Sequence, residues 1–166
     1  TATGDTAGLS LNPNTANGAD AASGTGVYKL NNGAQITLSG ATPSLNIAGK
    51  AYTVINDVNA LQAMNSNLAG NYALGSNIDA SATLFGPIGG GNTVNDLFSG
   101  VFDGFNHTIT GLVINLHKQY VGLFGYVGSA GTVQNLGMLG GSVSGWMSVG
   151  GVVGFNNGLI NNAYAT

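Results

Sequence analysis

The sequence predicts an all-β chain folded as a parallel β-solenoid with one short helix. Three observations predict it. Charged residues are 5% of the 166, against about a quarter in an ordinary soluble domain, and neither Glu nor Arg occurs. Glycine accounts for 29 residues, and Asn, Ser, Thr and Ala fill much of the remainder. The last two fifths of the chain, residues 97–166, also repeat themselves. Strong helix formers are therefore scarce, while β-tolerant and turn-forming residues dominate. Disorder does not follow from the low charge, because 43% of residues are apolar and mean hydropathy is +0.22. Disordered chains are poor in apolar residues and rich in net charge.

The N-terminal part, residues 1–55, reads as β-rich. A polar loop is expected at 12–26 (NPNTANGADAASGTG). Short strands are expected around VYKL, AQITL, SLNI and AYTVI, separated by glycine turns. Residues 56–96 read as a short helix plus a strand, linking or capping. Val58, Leu61, Met64 and Leu68 fall at helical spacing over 57–68, with Asn56 or Asp57 as N-cap. Tyr72 to Ile78 alternates apolar with polar and reads as one strand.

Residues 97–166 carry the repeat. GVFDGFNHTITGLVI (100–114), GLFGYVGSAGTVQNLGM (122–138) and GVVGFNNGLINNAYA (151–165) align on a glycine followed by an apolar pair. The pairs are Val101 and Phe102, Leu123 and Phe124, Val152 and Val153. A second apolar position follows at Ile109, Val133 and Ile160, with a partner at Leu112, Leu136 and Ala163. Successive pairs lie 22 and 29 residues apart. Two short strands per repeat with glycine corners describe a solenoid rung, which buries its inner face only by stacking. These residues are the expected rung core, with Phe102 and Phe124 stacked in one column. Low charge then has a cause, since in-register stacking sets like charges over each other. Asn stacks without that penalty, and Asn135 with Asn162 is the expected ladder. Gly111 stands at the same position of the first segment, so the ladder is expected to begin at the second.

At family level, GVVGFNNGLINNAYAT (151–166) resembles the GLUG motif, a glycine-rich repeat of bacterial surface proteins. NYALGSNIDASAT (71–83), PIG (87–89) and FSGVFDGFNHTITGL (98–112) resemble the segment that precedes such repeats. Together they look like part of a filamentous-haemagglutinin-like exoprotein of two-partner secretion. That resemblance implies a right-handed parallel β-helix in a secreted or surface-displayed bacterial adhesin or filament. It implies no cofactor and no catalytic site. The expected partners are neighbouring rungs, copies of the same protein, and host or matrix glycans. Rungs are expected to continue past the chain end or to stack on another copy. With no initiator Met and no signal peptide, the chain is expected to be a piece of something longer.

Other classes are weighed against this. A net charge of −3 with three scattered lysines offers nucleic acid no basic patch. No cysteine occurs, which excludes disulfides and thiolate metal sites. No run of 18 apolar residues exists to cross a membrane as a helix. The enzymatic alternative is a carbohydrate-active β-helix using Asp96 and Asp103, since paired carboxylates cleave glycosidic bonds. Against it, Asp103 before Gly104 reads as a turn, and Arg is absent. His107 and His117 lack metal-ligand spacing. Asp57 reads as a helix cap and Asp79 as a strand-end turn. Gly49-Lys50-Ala51 lacks the remainder of a phosphate loop. Asn106-His107-Thr108 is a glycosylation sequon. Trp146, Met147 and Tyr120 are expected to pack over the outer face, with sugar contact as their other reading. Thr108, Thr110 and Thr132 form no flat ice-binding array.

Overall fold

A computed structural model describes residues 2–4, 6–11, 28, 30, 33–90 and 96–166. The loop expected at 12–26 lies outside them, as do Val27 and Lys29 of VYKL. The fold is mostly β, a solenoid of about three turns with one short helix.

Parallel pairing defines the turns. One wall stacks Thr53, Tyr72, Phe102, Val133 and Ile160 in register. A second stacks Ile78, Ile109, Met138 and Ala165. A third runs from Ile88 through Phe124 to Val153. Following the first wall, successive turns take 30, 31 and 27 residues. Each turn therefore holds more strand than the two-strand repeat of the sequence reading. Val113–Asn115 pairs Ser142–Ser144, and Gln119–Val121 pairs Met147–Val149.

The expected register holds for the last two repeats and fails for the first. Phe124 pairs Val153, Val133 pairs Ile160, and Leu136 pairs Ala163. Val101 and Phe102 pair Thr132 and Val133 instead of Leu123 and Phe124. Ile109 pairs Met138 rather than Val133. Leu112 lies beside Ser142, whose N–H donates to its carbonyl at 2.9 Å. Phe102 and Phe124 thus belong to one turn and meet across the lumen, with ring centroids 5.2 Å apart and edge to face. That geometry suits the ring quadrupoles.

Inside the turns lies one apolar core. Phe102, Ile109, Leu112, Leu123, Phe124, Val133 and Leu136 are buried in it, while Val152, Val153 and Ile160 are half-buried against it. Val101 is also half-buried. Helix α1 (Val58–Ala63) packs against the same core through Leu61, and Met64 follows in a short 3-10 turn. Asp57 caps the helix, accepting the Ala60 N–H at 2.8 Å. Adjacent turns approach closely enough to require glycine. A Cβ at Gly100 would lie 1.9 Å from the Gly70 carbonyl oxygen.

A second core lies outside the first wall. Backbone alternation sends Tyr72 inward and Ala73 outward, so both are buried. The expected single strand over Tyr72 to Ile78 is two, Asn71–Leu74 and Ile78–Asp79, broken by a corner. Ala73 and Phe105 are covered by Leu38, Leu45 and Ile47 from the N-terminal part. Ser44–Ile47 and Lys50–Ile55 form a hairpin whose loop residues Ala48 and Gly49 both have positive φ, the two-residue turn that matches strand twist. Of the AQITL strand only Leu38 enters a ladder, as part of Leu38–Ser39. Residues 34–38 instead run across successive turns as an extended strap.

Candidate functional site

Asp103 sits where the strap, the wall and a corner meet. It follows Phe102, so its side chain points away from the lumen, yet it is 1% exposed beneath the flank. Four donors converge on the carboxylate. Oδ1 accepts the Phe105 N–H at 2.9 Å and Asn135 Nδ2 at 3.1 Å. Oδ2 accepts Gln134 Nε2 at 2.5 Å and the Tyr28 hydroxyl. Burial, and then the Asp103 charge, push the Tyr28 phenol above its ordinary value, so it stays a donor. A carboxylate satisfied on all sides by neutral donors is built to hold structure.

The same corner continues along the solenoid as asparagines. Asn135 and Asn162 take left-handed backbone (φ 54° and 50°), which Asn tolerates better than branched residues. Asn162 Nδ2 donates to Asn135 Oδ1 at 3.0 Å and to Asn106 Oδ1 at 3.3 Å. The ladder therefore reaches Asn106 in the turn below. Gly111 belongs to the next corner, where its N–H donates to the Leu139 carbonyl.

Below Asn135 the strap covers this corner. Asn106 Nδ2 donates to the Ala34 carbonyl at 2.8 Å, and Gln35 Nε2 to the Asn106 carbonyl at 2.9 Å. His107, 2% exposed, places Nε2 2.9 Å from the Ile36 carbonyl and Nδ1 3.1 Å from Asn77 Oδ1. Burial lowers the His107 pKa, with the Ile36 carbonyl acting in the opposite sense. Leu38 donates to the Gly75 carbonyl and accepts from Asn56 Nδ2. The sequon thus lies in a packed corner, with both amide atoms of Asn106 engaged.

Asp96 and Asp103 are not brought together. Asp96 is exposed beside Gly90 and lines a groove on another side of the turns, whereas Asp103 is buried under the flank. His107 and His117 occupy different corners, and among the described residues no three His, Cys, Asp or Glu cluster as metal ligands. Asp79 accepts the Ser81 N–H in a strand-end turn, and its pKa is lowered by hydrogen bonds from Ser81. His117 stacks with Trp146, which is 60% exposed. Tyr120 packs with Tyr126 and Phe155 on the outer wall, and Met147 is exposed.

Sequence reasoning missed Tyr28, Gln134, Asn77 and Asn56 as parts of the corner. The available signal was an Asn two to five residues after each stacked first-wall residue, at Asn56, Asn77, Asn106, Asn135 and Asn162. No helix among the described residues is long and apolar enough to cross a membrane.

No family model matches the chain, and no solved structure does. The chain is similar to halomucin from Haloquadratum walsbyi, with 38% identity over 125 residues. That match covers 68% of this chain and 1% of the length of halomucin.

Proposed function

We propose that the chain is a stiff structural segment of a secreted or surface-displayed protein, acting in adhesion, matrix or filament formation without catalysis. The observation that carries this is the buried, four-donor Asp103: the one buried carboxylate among the described residues holds the flank to the wall. A parallel ladder with a packed lumen resists bending, and its outer face replaces charge with amides and hydroxyls. Similarity to the far longer halomucin supports a surface setting. Export by two-partner secretion is a finer reading that rests on the GLUG-like motif at 151–166.

Antibodies raised against the folded chain test the location. The expected result is labelling of intact source cells or recovery from the culture medium. Recovery from the cytosol alone contradicts the proposal. Incubation with a panel of polysaccharides is expected to release no reducing ends, and release that Asp103→Asn abolishes would restore the enzymatic reading.

A further inference from the structure

The first turn is shorter than the second on one side. Leu84 bridges to Val113, and Ile88 to Phe124. The lower turn therefore crosses in four steps what the upper turn crosses in eleven. The extra residues form strand Gln119–Val121, which pairs upward with Met147–Val149. Among the described residues no strand pairs beneath it. The overhang leaves a groove of about 440 Å³, within the range of about 300–1,000 Å³ typical of small-ligand sites.

This groove is rigid by construction. Gln62 of α1 donates to the Gly86 carbonyl at 3.0 Å and accepts the Gly86 N–H at 2.8 Å. Asn65 donates to the Pro87 carbonyl at 3.3 Å and accepts the Gly89 N–H at 3.0 Å. These four bonds fix the lower wall against the helix. Leu68 and Leu116 supply apolar surface, and Gln119 an amide. One acid and one base line it, Asp96 and Lys118. One turn higher, the backbone N–H of Trp146 donates to the Lys118 carbonyl at 2.9 Å. The indole, stacked on His117 at 6.2 Å, stands exposed beside the overhang.

We propose that the groove and the Trp146 shelf bind a neutral oligosaccharide. A pyranose offers an apolar C–H face and a rim of hydroxyls. Apolar patches alternating with amides match the first pair of features, and an exposed indole takes the C–H face of a neighbouring sugar. A polyanion would require several cations, and Lys118 is the single cation lining the groove. Walls fixed before binding keep the ordering cost small. This binding role stands or falls separately from display on a surface.

The test uses the folded chain and three probes, cellotetraose, chitotetraose and maltotetraose. Trp146 is the one tryptophan, so its fluorescence reports the shelf, while amide chemical shifts report the groove. The expected result is a saturable shift of Trp146 emission and of the amides at 86–89 and 116–121 with at least one probe. Gln119→Ala and Trp146→Ala should each weaken binding by about tenfold, the loss expected for one good contact, with unchanged circular dichroism. Asp79→Asn, away from the groove, should bind as the parent does. Absence of saturable groove shifts with all three probes up to about 10 mM overturns the proposal. Shifts that survive both groove variants, or capture of an extended peptide in place of sugar, overturn it as well.

Discussion

Phe102 and Asp103 are neighbours in sequence and serve two differently built cores. Phe102 faces the lumen, where every wall residue packs on its counterpart one turn above and below. Asp103 faces the flank, where the N-terminal strap is tied down by polar anchors some 70 residues away. The lumen is stabilised by area removed from water and by periodic ladders. The flank depends on a few hydrogen bonds, each expensive to leave unmade once its partner is buried. Failure of the lumen should therefore be global, and failure of the flank local.

Truncating the lumen is expected to have the largest effect. Phe102→Ala removes a fully buried ring in contact with Phe124 and should cost about 3–5 kcal/mol, read as a fall in the urea midpoint of the whole β signal. Asp103→Ala strands the Tyr28, Gln134 and Asn135 donors and should cost about 3 kcal/mol, less than the sum of separate losses. Its unfolding should begin in the flank. Asn135→Ala removes one rung of the ladder and one Asp103 donor, and about 1 kcal/mol is expected from a thermal melt.

The mildest test is pH. Folding lowers the His107 pKa from about 6.5 through burial, so the unfolded chain binds the proton more tightly. Stability is then fully present above about pH 6.5 and falls as pH drops towards the folded value. The loss should appear first as faster amide exchange at residues 34–38. In His107→Gln the same drop in pH should have a smaller effect on those amides.

Part of this contrast was legible in the sequence. The register of 122–138 against 151–165 could be read because Val133 and Ile160, and Leu136 and Ala163, are each 27 residues apart, and the 29 between Leu123 and Val152 differ only by an insertion in a glycine-rich corner. GVFDGF and GLFGY look alike because each sends a phenylalanine into the lumen behind a glycine. Local pattern shows that a strand faces inward but not which wall it occupies, so the first segment resembles the second while lying on a different wall. The flank left no such signal. Asp103 beside Gly104 looks like any turn, and Tyr28 lies 75 residues away in sequence. The run of three consecutive apolar residues, Tyr72, Ala73 and Leu74, was the available hint that this wall is covered on both sides. The groove was invisible for a different reason: it comes from a strand that the first turn lacks.

The division into two cores is tested most directly by hydrogen exchange, followed by mass spectrometry, on Asp103→Ala beside the parent chain. Loss of protection is expected over residues 34–38 and 44–54, with Phe124–Val127 and Thr132–Leu139 still protected. Equal loss across flank and lumen would contradict it, because Asp103 would then anchor a single cooperative unit.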